Sequence, residues 1–332
     1  MTRLEPLMEV WITGWRFLYM RLRFLKRRHT SFFYKKPRLE IDAANECIYH
    51  GLTGPAPFMA SRFGATELQT LRNHHYIHRA TGNRLKGWCQ LALGGDAFYW
   101  RERVRRHMMQ LSGFFPPTEE MLEHFCQLYL RDIPQIDLIG IWYRQHEDFL
   151  CKHLCPDATL TALKGLDPFF SAQPWTRALE NQKLLVVHPF AQSIETQYAK
   201  RDKLFSRPDI LPDFYLQTLP AVQSIGGNSQ GFANWFDAYE AMCRQMEQKD
   251  FDIAIIGAGA YGLPLAAHVK RMGKKALHLG GVTQLLFGIK GKRWDEDAHF
   301  SSLYNEHWVY PSAAETPAHY KKVEDGCYWG PG

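Results

Sequence analysis

Residues that could do chemistry gather in four short stretches of this 332-residue chain. The first is Met59-Ala-Ser-Arg62-Phe-Gly64-Ala65-Thr66-Glu67-Leu68, where Arg62 and Glu67 flank a glycine at a strand-to-helix turn. That spacing brings a guanidinium and a carboxylate to one pocket edge, or else forms an ion pair that only orders the turn. The second is Val187-His188-Pro189-Phe190, followed by Ser193, Glu195, Gln197, Tyr198 and Arg201. His188 ends a predicted strand, a usual place for a functional side chain, and a hydrogen-bonded structural histidine is the alternative. The third, Asp252-Ile-Ala-Ile-Ile-Gly257-Ala-Gly259-Ala-Tyr261-Gly262, is the strongest local signal. A strand feeds a glycine-rich turn there, and a helix follows, so backbone N–H groups can approach a phosphate at the positive helix end. The fourth, Gly280-Gly281-Val-Thr-Gln284 through Gly288-Ile-Lys290-Gly-Lys292-Arg293-Trp294, gathers cations among glycines, a phosphate-binding composition or a solvated charge run.

The third stretch invites an NAD(P) reading. Against it, the acid expected about 20 residues later on the ribose is missing from Ala276-Leu-His278-Leu-Gly280, and only 70 residues follow Gly262. A Walker P-loop is not matched in the fourth stretch either. A tight turn that binds nothing is the plain alternative at Gly257–Gly262.

The elements that must position these groups read as alternating strands and helices. Strands are predicted at 58–63, 136–142, 184–187, 216–225, 251–256 and 275–279. Helices are predicted at 41–52, from Thr66, across 97–131 with a break at Pro116-Pro117, at 232–249 and at 263–272. Such alternation predicts an α/β, Rossmann-like fold with a mostly parallel sheet covered by helices on both faces.

Composition supports a packed core, with 45% hydrophobic and 14% aromatic residues. The chain carries +6, and residues 1–40 alone hold ten Lys/Arg against Glu5, Glu9 and Glu40, so the remainder is close to neutral. A nucleic-acid-binding surface is therefore not expected. Leu4, Met8, Trp11, Trp15, Leu18, Leu22 and Leu25 recur at helical spacing with Arg16, Arg23, Lys26 and Arg27 off the stripe. This predicts a basic amphipathic helix over 1–28, suited to an anionic membrane surface or to packing on protein. The domain division expected is 1–40 for this segment and 41–332 for one α/β domain. No secretory signal or membrane span is read, and seven scattered cysteines suit reduced thiols in a cytosol. Cys151-Lys-His153-Leu-Cys155 has no second pair nearby at zinc-like spacing.

Together the residues resemble the GT-D-fold bacterial glycosyltransferases and the related polysaccharide-biosynthesis proteins. Ser61-Arg-Phe-Gly-Ala-Thr-Glu-Leu68, His188-Pro-Phe190 with Gln197-Tyr198, Asp252–Gly262 and Gly280–Trp294 carry the resemblance, and Asn305-Glu-His-Trp308 and Glu324–Trp329 extend it. It implies a glycosyltransferase of hexosyltransferase type, using a nucleotide-diphosphate sugar, UDP-linked in the first instance. The acceptor would be a glycan or lipid-linked sugar in surface-polysaccharide assembly at the inner face of the cytoplasmic membrane. Gly64, Gly257, Gly259, Tyr261, Gly262, Gly280, Gly281 and Gln284 would line the nucleotide, and Arg62, Lys290, Lys292 and Arg293 would bind phosphate. His188, Glu195 and Asp137 are candidates for activating the acceptor. Glu67 would hold Mn²⁺ or Mg²⁺ or orient the donor. The family's Asp-x-Glu pair is reduced here to Ala65-x-Glu67, so the expected metal site has lost one of its two carboxylates. A non-catalytic nucleotide-sugar-binding relative and an NAD(P)-dependent oxidoreductase are the other readings. If residues 1–28 bind lipid, deleting them abolishes co-sedimentation with anionic liposomes, and unchanged pelleting sinks the membrane role.

Overall fold

The computed structural model describes residues 36–330 except 81–82, 94–95, 145, 319 and 323, together with Trp11, Gly14 and Trp15. The amphipathic helix expected over 1–28 otherwise lies outside the described residues. Eight strands form one sheet: β1 (Arg38–Leu39), β2 (Phe58–Arg62), β3 (Leu138–Ile141), β4 (Thr159–Ala162), β5 (Lys183–His188), β6 (Tyr215–Pro220), β7 (Ile253–Ile256) and β8 (Lys275–His278). Their order is β1-β4-β3-β2-β8-β7-β5-β6, and every pairing is parallel. The α/β reading holds, and "mostly parallel" becomes wholly parallel. Strands such as β7, buried at all four positions, are apolar throughout because both faces are covered.

Nine helices of eight or more residues cover the sheet among the described residues. They are α1 (Ile41–Thr53), α2 (Ala65–Arg79), α3 (Arg84–Ala92), α4 (Glu102–Leu111), α5 (Glu119–Asp132), α6 (Glu147–Leu154), α7 (Ala191–Tyr198), α8 (Trp235–Glu247) and α9 (Gly262–Arg271). Local chemistry marks several starts. Thr118, just after Pro116-Pro117, accepts from the Met121 amide to begin α5, and Asn234 accepts from Phe236 and Asp237 to begin α8.

Two apolar layers flank the sheet. One contains Leu71 of α2, Phe125 of α5, Trp235 and Met242 of α8 and Val269 of α9; the other contains Ile48 of α1, Trp175, Ile194 of α7 and Trp294. The layers sort by direction of travel. Connections running toward the β1 edge (β2 to β3, β3 to β4, β6 to β7, β7 to β8) lie in the first layer, and those running toward β6 lie in the second. A single crossover hand requires this sorting. As a result the chain leaves β2, β8, β7 and β5, four neighbouring strands, toward alternate faces. A crevice must open between their C-terminal ends.

Two strands were not expected. Arg38–Leu39 falls in the basic N-terminal segment by composition yet pairs with Leu160–Thr161 of β4. Both strands are short and lie at or beside the sheet edge, where neither periodicity nor a long apolar run develops. The strand expected to reach Ile225 stops at Pro220.

Trp235 is fully buried and stacks on Tyr261 at 4.5 Å between ring centroids, tying α8 to the turn after β7. Trp235→Ala should cost about 3–5 kcal/mol of stability, measured as a lower urea midpoint. An unchanged midpoint would show that this stack does not hold the turn.

Candidate functional site

A cavity of about 190 Å³ occupies the crevice, lined by Arg62, Glu67, His188, Gly257 and Gly280 among others. Side-chain alternation decides who faces whom. Along β2, Met59 packs in the layer of α2 and α5 whereas Phe58 and Ala60 pack in the other, which sends Arg62 to the same side as Ala60. The same count brings Trp142, just beyond β3, beside it.

The Arg62 guanidinium lies 4.2 Å from the centre of the Trp142 ring. Its other contacts are long hydrogen bonds of 3.4 and 3.5 Å to the Phe63 carbonyl, and among the described residues no carboxylate stands within ion-pair distance. Burial lowers its pKa to about 10, with the Tyr328 and Glu67 charges raising it and Arg293 lowering it. It remains cationic at neutral pH. The Trp142 turn that supports it is held from below: the buried Glu147 carboxylate accepts from the Trp142 amide at 3.0 Å and from the Arg144 amide at 3.3 Å.

Arg293 enters from the C-terminal segment, donating to the Tyr328 hydroxyl at 3.1 Å. Lys290 and Lys292 do not join it. Lys290 Nζ sits 4.7 Å from the Tyr310 ring centre, and Lys292 pairs with Asp325 at the surface, so neither lines the crevice. Of the basic run, one side chain in three reaches the cavity: Lys290 precedes the short helix Lys292–Asp295, and within that helix Arg293 rather than Lys292 lines the cavity.

The glycine turns contribute backbone. Gly257 admits no side chain, since a Cβ there would lie 2.5 Å from the His188 ring and 2.7 Å from the Gly280 carbonyl. Gly280 has φ +66°, a conformation costly for other residues, and its Cα faces the Arg62 guanidinium. Gly259–Tyr261 and Gly280–Val282 are single helical turns, and the first amides of such turns have no acceptor within them. Gly259, Gly280 and Gly281, whose amides have no partner within these turns, line the cavity beside two guanidinium groups. This is an anion-binding arrangement.

The remaining candidates separate clearly. Gly64 precedes α2, and Glu67 in its first turn is buried and accepts from Ser112 Oγ at 2.8 Å. Burial raises its pKa against the pull of its backbone hydrogen bond, Ser112 and Arg62. Tyr261 hydrogen-bonds Ser224 at 2.9 Å in the cavity floor. Gly262 opens α9 so close to His278 that a Cβ would lie 2.3 Å from Nε2. Gln284 lines the wall and fastens it, donating from Nε2 to the Lys290 carbonyl at 2.8 Å and the Tyr328 carbonyl at 3.1 Å.

His188 accepts the Phe190 amide on Nδ1 at 3.0 Å, which leaves the hydrogen of its neutral imidazole on Nε2. Burial holds its pKa down to about 3. In this form it donates a hydrogen bond and has no free lone pair to act as a base. Glu195 on α7 accepts from Thr218 at the surface, outside the lining residues. Asp137 precedes β3, at the opposite end of a parallel sheet, where it accepts from the Met59 amide at 2.8 Å and Lys270 at 2.6 Å. It anchors the fold.

Sequence reading missed Trp142, Ser112, Tyr129, Ser224, His278 and Tyr328 as lining residues. Trp142 ends a predicted strand, the signal that singled out His188, and His278 is one residue from the end of the strand predicted at 275–279. Ser112 and Ser224 stand in turns with no local signature. Among the lining residues Glu67 is the only carboxylate, and it shares the cavity with Arg62 and Arg293. One carboxylate beside two guanidinium groups does not fit a divalent-cation site. Compared with protein-family models, curated proteins and solved structures, the chain matches none.

Asp167 is buried on the Arg62 side of the sheet, and burial pushes its carboxyl from 3.8 to about 7 against the Arg62 and Lys164 charges. Between those values the folded chain binds more protons than the unfolded one, so stability falls as pH rises across that window. Asp167→Asn should flatten this fall, read as urea midpoints at successive pH values. An unaltered slope would assign the effect elsewhere.

Proposed function

We propose that the crevice binds a nucleoside-diphosphate sugar and that the protein is a glycosyltransferase acting on a glycan or lipid-linked acceptor. The observation that carries the reading is Arg62: a half-buried guanidinium without an ion-pair partner among the described residues, facing Gly280 across the joint of β2 and β8. A charge partly withdrawn from water with no ionic partner is completed favourably by an anion. A diphosphate supplies that anion, with the Gly259, Gly280 and Gly281 amides and Arg293 on its remaining oxygens. The cavity is smaller than the ~300–1,000 Å³ of most ligand pockets. It suits the diphosphate and one adjoining ring, with the rest of the donor at the mouth.

Each group then has a task. Arg62, Arg293 and the turn amides stabilise charge developing on the departing diphosphate, the role a divalent cation plays where two carboxylates are present. The His188 Nε2–H donates to the donor and orients it. Glu67, with a pKa raised by burial, takes the acceptor hydroxyl proton. A non-catalytic binding role is favoured by one observation, that Glu67 is already engaged by Ser112. For the NAD(P) reading, the end of β8 presents His278 where a ribose-binding acid would stand.

A thermal-shift panel separates these readings: UDP, UDP-glucose, UDP-N-acetylglucosamine, GDP-mannose and NADH, each with and without EDTA. A ligand at 100-fold over its dissociation constant adds about 2.7 kcal/mol. A nucleotide-sugar shift that survives EDTA and disappears in Arg62→Ala is expected. A shift with NADH alone overturns the proposal, and binding with no transfer to any acceptor leaves the non-catalytic role.

A further inference from the structure

A second constellation lies away from the crevice, on the outer part of the α2–α5 packing. His74 and His78 stand one turn apart on α2 and so share a face. Both direct Nε2 at Glu123 of α5, at 3.0 Å from His74 and 3.1 Å from His78 to the same carboxylate oxygen. Gln127, one turn along α5, also donates to that oxygen at 3.2 Å. His78 Nε2 is also 3.1 Å from the second carboxylate oxygen, so three side chains converge on this one carboxylate. The two imidazole rings are 4.3 Å apart, and the three ligand atoms lie within 4.8 Å of one another.

The same two imidazoles and carboxylate also place their ligand atoms as a bound cation needs them. Ligand atoms at about 2.0–2.1 Å from a tetrahedral zinc-type ion are about 3.3 Å apart. The two nitrogen–oxygen separations, 3.0 and 3.1 Å, need to open by only a few tenths of an ångström. Gln127 is placed to hold the carboxylate from outside, the usual second partner of a metal-binding acid. The side-chain exposures of His74, Glu123 and His78 rise from 10% to 28% to 54%, which leaves a fourth position facing solvent.

We propose that His74, His78 and Glu123 form a binding site for a zinc-class divalent cation that clips α2 to α5. Two imidazoles and one carboxylate select Zn²⁺, Co²⁺ or Ni²⁺ over the hard ions Mg²⁺ and Mn²⁺. The site is distinct from the crevice: His74 lies seven residues beyond Glu67, about 10 Å along the helix. It still bears on it, because α2 carries Glu67 and α5 carries Tyr129, both of which line the cavity.

The test is calorimetric titration of Zn²⁺ into the full, metal-stripped chain, with Co²⁺ absorption as a second readout. One equivalent is expected to bind, with affinity at least about tenfold weaker in His78→Ala and in Glu123→Gln. His78 is exposed, so its variant keeps the fold, and circular dichroism checks both. Co²⁺ should show imidazole–carboxylate ligation with no thiolate charge-transfer band, and excess Mg²⁺ should not displace it. Equal affinity in both variants, a thiolate band from the seven cysteines, or no saturable binding would each overturn the site.

Discussion

The pairing of β2 with β8 is the constraint on which the rest of the molecule depends. These strands are more than two hundred residues apart in the chain, yet Phe58, Met59 and Ala60 lie in register with Lys275, Ala276 and Leu277. The pairing joins a half made of β1–β4 to a half made of β5–β8. It also sets Arg62, one half's last strand residue, against Gly280 of the other. Ser61 Oγ and His278 Nδ1, 3.1 Å apart on the opposite face, close the same joint from beneath. Without this register there would be no electropositive wall, only two glycine turns and a stranded arginine.

Placing a charge at that joint has structural consequences around it. The Arg62 guanidinium is covered on one face by the Trp142 ring, and the Trp142 turn is kept in place by the buried Glu147 carboxylate. The C-terminal segment then closes over the opening, with Gln284 binding the Tyr328 carbonyl and Arg293 the Tyr328 hydroxyl. Polar burial on this scale is costly unless each group has a partner. Here Arg62 lacks an ionic one among the described residues, whereas Asp137 is paired with Lys270 and the Glu147 carboxylate accepts from two backbone amides. That contrast separates the crevice from the scaffold more sharply than conformation does.

The α2–α5 pair frames one side of the crevice and carries its own cluster of ligating groups farther out. A clip there would act on the crevice through helix position, since Glu67 and Tyr129 sit on the inner turns of the same two helices. The two sites differ in chemistry. The crevice presents cations and amides to an anion; the outer cluster presents lone pairs to a cation.

Much of this was legible from the chain alone, where the physics is local. Apolar runs such as Ile253–Ile256, amphipathic spacing in Trp235–Glu247 and glycines at strand ends announce buried strands, surface helices and phosphate-sized turns without any long-range information. The α/β class and six of the eight strands followed from those patterns. The choice among polar candidates did not, because it depends on which end and which face of the sheet each residue occupies. Asp137 and Arg62 both flank buried strands, but parallel pairing sends one to the base and the other to the crevice. Lys290, Lys292 and Arg293 are near neighbours in sequence, and one short helical turn delivers only Arg293. Trp142, Ser112 and His278 became part of the site through strand register and loop closure. The convergence of His74 and His78 on Glu123 likewise needed α5 to pack against α2. A local pattern determines what a segment is; only the packed sheet determines what it meets, since that is set by contacts between residues far apart in the chain.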